Sequence, residues 1–492
     1  MNNQDPIFPA KGSTGLIRPL DDRYLDFLTD ESGLTGRAES ISFPVDENQI
    51  QQIVTRLSKQ RIPITIQGSR TGICGGCVPT GGHILNLNRM NRISDKIERK
   101  ADHSTLWVEP GVTLSALQTY LSGTGLFWPV DPTETSATLG GIAANHSKGP
   151  GSHFYGPVSR YIRSIRIMDT TGETHLLKNR DLVPCLGSEG MVGIILSLEL
   201  ILLPEPCEKW GVVFFFETDF KALSFCREIA NGHQSGRDAV ESRITAVEFM
   251  NPTLLESIRT YQARAPHLAS LPDRDSGLSS AVSIEIHGTG PAPVESLLEQ
   301  ILEQAVHWGS DPDTSWAFSG DRELTRLKAF YHAAMEAVFF VSDQIRDPSL
   351  KKNRMRMEIC CDKTDLAQDM ARLQKEIEEI EIRAAVFGHA GQGIFQVYLL
   401  PRTPDEYQRA TDWINRRMNS QNRSWLKTSP QYGIGKTGLY PPDTAVVKAK
   451  REAVDRLKKR WDPDDIWNPS NMKPMKSTGD SFETIGLSGA DR

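Results

Sequence analysis

The sequence predicts an α+β protein of more than one domain, and three observations carry that expectation. The chain has 492 residues, more than one hydrophobic core usually organises. Pro204-Glu205-Pro206 reads as a boundary, after which the strands come with longer helices. Beyond that point, strands interleave with helices that are apolar on one face, the pattern of an antiparallel sheet covered by helices.

The elements follow in order. Glu47 to Gln60 reads as an amphipathic helix with Ile50, Ile53, Val54 and Leu57 on one face. It leads into a strand over Ile62–Ile66, then strands over His83–Leu87 and Thr105–Glu109. Thr113 is placed to cap a helix through Tyr120 that Gly123 and Gly125 close. Pro129 to Gly156 is expected to be irregular, and strands around Ile162–Asp169 and Val192–Leu202 finish the unit. In the second half, strands are expected at Val212–Phe216, Thr245–Phe249, Ala281–His287, Arg354–Cys361, Ala384–His389 and Phe395–Leu400. Helices are expected at Phe220–Ala230, Val294–His307, within Leu324–Ile345, at Thr364–Ile380 and at Asp405–Met418. A last helix runs from Thr444 to Trp461, and residues 476–492, rich in Ser, Gly and Asp, are expected to be disordered.

Composition excludes several classes. A net charge of −6 with no Lys/Arg block argues against nucleic-acid binding. No apolar run approaches the roughly 20 residues of a membrane span, and the start lacks the basic and apolar regions of a signal peptide. The 7 cysteines form no disulfide framework, so a cytoplasmic setting is expected. Cys74 and Cys77 have no second pair beside them to complete a zinc site, and no iron–sulfur spacing occurs.

Three glycine-rich stretches carry the chemistry. The first, Gly68-Ser69-Arg70-Thr71-Gly72-Ile73-Cys74-Gly75-Gly76, follows a strand. Such a loop can turn its backbone N–H groups toward an anion, with Arg70 and Thr71 adding charge and a hydroxyl; a tight surface turn is the other reading. The second runs from Pro129-Val130-Asp131-Pro132 through Ser136, Thr138, Gly140 and Gly141 to Asn145, and repeats that chemistry. Two such loops suit the two ends of one long phosphorylated ligand. The third, Gly187-Ser188-Glu189-Gly190-Met191-Val192-Gly193-Ile194-Ile195, leads into a strand. By contrast, Gly433-Ile434-Gly435-Lys436-Thr437-Gly438 matches a dinucleotide pattern by letter only: Pro430 precedes it and Tyr440-Pro441-Pro442 follows, with neither strand nor helix.

Together the three loops resemble the FAD-binding (PCMH-type) domain of the vanillyl-alcohol oxidase and p-cresol methylhydroxylase superfamily, in its glycolate oxidase and D-lactate dehydrogenase branch. The tail Trp461-Asp462-Pro463-Asp464-Asp465-Ile466-Trp467-Asn468-Pro469 is similar to that branch's closing motif. The resemblance implies a two-subdomain FAD-binding domain, a ferredoxin-like α/β cap for substrate, and a C-terminal return to the first domain. The corresponding divisions are an N-terminal segment 1–37, FAD-binding domain 38–205, cap 206–425, returning segment 426–475 and tail 476–492. It further implies that Gly68, Ser69, Arg70, Thr71, Gly72, Gly75 and Gly76 wrap the pyrophosphate. Pro129, Asp131, Ser136, Thr138, Gly140, Gly141 and Asn145 would line the ribityl chain and isoalloxazine. Gly190, Gly193 and Ile195 would lie along the adenine side, and Asn468 would come back over the flavin. The first loop lacks the histidine that links flavin in some relatives, so non-covalent FAD is expected.

The chain departs from the branch where the branch binds metal. Where the pattern has Gly-His-x-Gly-Asp-Gly-Asn-x-His, the chain has Gly388-His389-Ala390-Gly391-Gln392-Gly393-Ile394-Phe395-Gln396, and where it has Glu-His-Gly-x-Gly the chain has Gln431-Tyr432-Gly433-Ile434-Gly435. One imidazole and two amides make a poor divalent-cation site, so no metal is expected. Proton removal then falls to His389, whose type titrates near 6.5, or to a strongly shifted Tyr432; packing roles in a vestigial site are the other reading. Arg354 and Arg356 alternate onto one side of a strand where relatives bind the substrate carboxylate, and either a carboxylate clamp or a solvated edge fits them.

The expected activity is hydride transfer from a 2-hydroxy acid or related alcohol to flavin, with His389 as base and Arg356 as orienter. Electrons would pass to an external acceptor: a quinone, an electron-transfer flavoprotein or an iron–sulfur subunit. Two alternatives stand beside it: an FAD enzyme on a phenolic or other alcohol that needs no metal, and a flavin-carrying subunit of a redox complex. A homo-oligomer is compatible with each.

Overall fold

A computed structural model of the chain describes residues 15–100, 103–232, 241–268, 279–350, 355–419, 426–427 and 445–471. In the first half, Asp46 starts the helix Glu47–Lys59 by accepting the Gln49 N–H at 2.9 Å. The helix buries Ile50, Ile53, Val54 and Leu57 against a 4-stranded sheet ordered Arg18–Pro19, Ser40–Ser42, His83–Asn86, Ile64–Gln67. The last three strands are parallel, so the loop after Gln67 leaves the sheet at a strand's carboxyl end. A second sheet, antiparallel, is built around Ile194–Pro204, with Ser104–Val108 on one side and Ile162–Met168 on the other. Met168, Ile194 and Leu196 join the same core as the helix, which is thereby enclosed between the two sheets.

The stretch from Pro129 to Gly156 is more regular than expected. It contains a helix, Leu139–Asn145, and a 3-10 turn, Pro150–His153. Gly140 and Gly141 hide the helix from propensity reasoning, since glycine disfavours a helix interior. Burial of Leu139, Ile142 and Ala143 in the core overrides that preference. Helix Pro252–Gln262 and strand Trp316–Ser319 are likewise present although periodicity did not mark them.

The cap is an 8-stranded antiparallel sheet in the order Trp316–Ser319, Glu208–Phe216, Ser280–Gly288, Ser242–Met250, Ala384–His389, Ile394–Leu399, Arg356–Cys361, Leu426–Lys427. Its centre has two similar halves. In each, the third strand in sequence lies between the first two: Ser280–Gly288 in one, Ile394–Leu399 in the other. The halves meet where Phe249 and Met250 pair with Gly388 and Phe387. Helices Asp219–Gly232, Pro291–His307, Leu366–Glu379 and Pro404–Asn419 pack on one face through side chains such as Phe225, Ile301, Leu373 and Trp413. Pro252–Gln262 and Gly320–Ile345 cover part of the other.

After the cap, helix Ala445–Trp461 returns to the first unit, placing Val454 and Trp461 in the core of the second sheet. Ile466 and Trp467 enter the core of the first, and Trp467 pairs in parallel with Ile64 at its edge. Among the described residues no helix is long and apolar enough to cross a membrane.

Candidate functional site

The three glycine loops converge, and the tail fastens two of them. Gly68 lies so close to Thr138 Oγ1 that a Cβ there would collide with it, bringing the first loop against the N-cap of helix Leu139–Asn145. Gly190, at φ +75°, would place a Cβ 2.6 Å from Asn468 Nδ2; both the backbone and the close approach require glycine. Asn468 accepts the Ile66 N–H at 2.8 Å and donates to the Glu189 carbonyl at 2.6 Å. Asn471 donates to the Gly76 carbonyl at 2.8 Å and to Glu189 at 3.2 Å. Asp462 organises this clasp by accepting the Ile466 and Trp467 N–H groups at 2.7 and 2.8 Å.

Within the first loop, the N–H groups of Ser69, Arg70, Thr71, Gly72 and Ile73 donate no hydrogen bond among the described residues. Successive unpaired N–H groups in a glycine loop form a concavity suited to phosphate oxygens. Among the described residues, only the Asp30 carboxylate, at 3.9 Å, comes near the space a Cβ on Gly72 would take.

The cap faces these loops with a polar layer. Side chains alternate across a strand, and the parity that buries Met250, Ala281, Ala385 and Tyr398 beside helix Gly320–Ile345 also carries Glu248, Glu285, His389, Gln396 and Glu358. The sheet face is thus apolar under the helices and charged toward the first unit. His389 is buried, and its Nδ1 lies 2.8 and 2.9 Å from the two oxygens of buried Glu248. Gln396 donates to Glu358 at 3.1 Å, while its buried Oε1 has no partner among the described residues. Lys328 Nζ stands 3.7 Å from Glu285 and 3.8 Å from Asp131, on the turn of the second loop, and Tyr331 donates to Glu285.

Several contacts tie the two units around this layer. His153 Nδ1 is 2.9 Å from the Gly391 carbonyl, Gln392 donates to the Gly149 carbonyl at 3.1 Å, and the Tyr155 hydroxyl is 2.7 Å from His287 Nδ1. Arg356 reaches from the cap to the first loop, donating to the Ile73 carbonyl and approaching Cys74 Sγ at 3.3 Å.

Burial opposes the imidazolium of His389, but the Glu248 carboxylate, its hydrogen bond, and the further charges of Asp131 and Glu358 outweigh that cost and raise the pKa above 6.5. Asp131 is pushed up to about 6, chiefly by burial, with Lys328 pulling it back and Glu285 adding to the rise. Glu285 is buried as well, yet Lys328 and Tyr331 hold it below the ordinary carboxylate range.

The remaining expected residues fall as follows. Ser136 is exposed, its N–H donating to Glu134 at 2.8 Å; Pro129 is buried; Gly140 packs on Pro110; Gly141 lies in the helix's first turn and Asn145 in its last. Gly193 precedes the Ile194–Pro204 strand, in which Ile195 is buried. Arg70 turns its guanidinium onto the Phe27 ring, 4.4 Å from the centroid. Tyr432, Gln431 and Arg354 lie outside the described residues, as do residues 472–492. Glu248, Glu285, Glu358 and Lys328 escaped sequence reasoning. The signal for the glutamates was a lone carboxylate inside Ala246-Val247-Glu248-Phe249, Ser283-Ile284-Glu285-Ile286 and Met355-Arg356-Met357-Glu358-Ile359.

A glycine cradle facing a charged cap across a buried boundary is how an enzyme isolates a flavin and its substrate from water, and it sets the class as flavin-dependent oxidoreductase. Comparison with known proteins agrees: residues 38–178 match the FAD binding domain family and residues 221–472 match the FAD linked oxidases, C-terminal domain. The chain belongs to the FAD-linked oxidase family, and its cofactor is FAD. It is 22% identical to the D-lactate dehydrogenase of Anaerostipes hadrus over 91% of this chain and 92% of that protein. It is 24% identical to the glycolate oxidase subunit GlcD of Bacillus subtilis, over 88% of each chain. Among solved structures, an alkyldihydroxyacetonephosphate synthase aligns with a TM-score of 0.62 at 16% identity, covering 92% of this chain and 82% of that one, a likeness of fold.

Proposed function

We propose that the protein is an FAD-linked dehydrogenase of a 2-hydroxy acid, with His389 as the base. The observation that carries this reading is the buried His389–Glu248 pair, on a cap face turned toward the flavin loops. The relatives named for D-lactate and glycolate act on 2-hydroxy acids, which supports the substrate class.

FAD, when bound, supplies the hydride acceptor. Residues Gly68 to Gly76 hold its pyrophosphate non-covalently through the unpaired N–H groups. Pro129, Asp131, Ser136, Thr138, Gly140, Gly141 and Asn145 line the ribityl chain and ring, and Gly190, Gly193 and Ile195 the adenine side. Asn468 acts on the cofactor by joining the strand that feeds the first loop to the third loop. With Nδ1 committed to Glu248, His389 takes the substrate hydroxyl proton at Nε2, and Glu248 stabilises the imidazolium that forms. Arg356, whose Nη2 alone is engaged among the described residues, orients the substrate carboxylate with the rest of its planar fork. No divalent metal is expected to take part: where the family pattern has its second histidine, Gln396 offers only an amide oxygen beside the single imidazole of His389. An external quinone, electron-transfer flavoprotein or iron–sulfur partner takes the electrons, in the cytoplasm.

Anaerobic titration tests the reading. D-lactate, glycolate or D-2-hydroxyglutarate is expected to bleach the flavin, equally before and after dialysis against a chelator. Bleaching by phenolic or simple alcohols alone would shift the assignment to a metal-independent alcohol oxidation, the reading that the loss of the metal ligands favours. No bleaching by either panel would leave a flavin-carrying subunit.

A further inference from the structure

Arg70 occupies a backbone conformation that only glycine adopts without cost. Its φ is +64°, in the left-handed region, where a Cβ meets the following carbonyl oxygen. A long charged side chain persists there when contacts hold it. Those contacts all come from a segment ahead of the region that matches the FAD binding domain, which begins at residue 38.

The guanidinium lies over the Phe27 ring and donates through Nη1 to the Asp26 carbonyl. Beneath it, Gln67 donates to the carbonyls of Phe27 and Cys77, each at 2.8 Å, joining the segment to both ends of the first loop. Cys77 Sγ is 3.6 Å from the Asp30 carboxylate. Phe27 packs edge-on against Phe43 at 5.2 Å, and Tyr24 lies beside both rings. The Asp22–Leu28 turn is itself started by Asp21, which accepts the Arg23 N–H at 3.1 Å.

We propose that residues 21–30 are a strap that holds the first glycine loop in its flavin-binding shape, and that the Arg70 side chain is its fastener, a positioning group whose guanidinium is not a pyrophosphate ligand. The loop N–H groups are left to face the cofactor because the one cation in the loop is turned outward onto the strap. The family membership supplies the flavin on which this rests; the substrate assignment does not enter.

A double-mutant cycle read by FAD release tests it. The holoenzyme is diluted and free flavin is followed by its fluorescence. Arg70→Gly removes the side chain and relieves the backbone; Phe27→Leu keeps an apolar side chain but removes the ring face. Each single variant is expected to release FAD about tenfold faster, the scale of one partly buried cation–π contact. The double variant is expected to release it no faster than either alone, because both remove the same fastening. Multiplying effects would mean that Arg70 holds the cofactor independently of the strap, and an unchanged rate in Arg70→Gly would mean that the contact fastens nothing; either result overturns the proposal.

Discussion

His389 and Glu248 show how one carboxylate changes what an imidazole can do. The carboxylate fixes the tautomer, and with Asp131 and Glu358 nearby it keeps the pKa above 6.5 despite burial. Since the base must be unprotonated, kcat/KM is expected to rise with pH through that raised pKa. Replacing Glu248 by Gln removes the charge and should move the rising limb to lower pH while lowering kcat, as a stopped-flow pH series of flavin reduction would show. His389→Gln should slow reduction by on the order of 10²–10⁴-fold, with the flavin spectrum retained. At this scale His389 was legible because a glycine-flanked histidine stands out in a sequence. Glu248 was not, since a glutamate in an apolar strand reads the same whether it faces a site or solvent; only the pairing of Phe249 with Gly388 brings it to His389.

Among the elements, the C-terminal clasp bears most directly on cofactor retention. Asn468 uses both ends of its amide on backbone, accepting from Ile66 in the strand that feeds the first loop and donating to Glu189 in the third loop. Asn468→Ala leaves the Ile66 N–H unpaired, at about 1–3 kcal/mol, and leaves the Glu189 carbonyl to Asn471. FAD affinity, measured by fluorescence quenching, is expected to fall at least about tenfold, with a lower thermal midpoint. Asn468→Asp should recover little, since a carboxylate cannot donate to the Glu189 carbonyl. Helices with a clean apolar stripe, such as Glu47–Lys59, were readable to within a residue or two. Leu139–Asn145 was not, because its stability comes from packing against Pro110 and the second sheet, which its own Thr-Leu-Gly-Gly start does not announce.

At the level of the whole molecule, several histidines are held neutral by burial, some inside the first unit and others, such as His153 and His287, along its boundary with the cap. Burial lowers His83, His146, His153, His287 and His332 to about 4 each. Unfolded, each binds its proton near pH 6.5, so between pH 6.5 and 4 the unfolded chain holds more protons and stability falls as pH falls. Asp131, raised to about 6, offsets part of this. The thermal midpoint is expected to drop steeply below pH 6 and to decline gently where His389, its pKa raised above 6.5, loses its proton as pH rises, by calorimetry at fixed ionic strength. A methyl group on Gly391 would lie 2.6 Å from His153 Nδ1, so Gly391→Ala should loosen the boundary and deepen that acid sensitivity. The α+β fold class was legible from strands alternating with one-faced helices and from the loop order; the boundary's polar layer depends on long-range register that no local pattern reveals.

The two similar halves of the cap sheet meet along a short seam, and the His389–Glu248 pair straddles it. Glu248 comes from one half and His389 from the other, each one step beyond the Phe249–Gly388 pair. Sliding one half by a single residue would turn one of the two side chains to the opposite face of the sheet. Neither half can assemble the pair alone, so the carboxylate that raises the His389 pKa reaches it only in a cap whose two halves have joined in the correct register. The carboxylate–imidazole contact is in effect a readout of folding: a cap that closes out of register is not merely less stable but lacks the pair on which the proposed proton transfer rests.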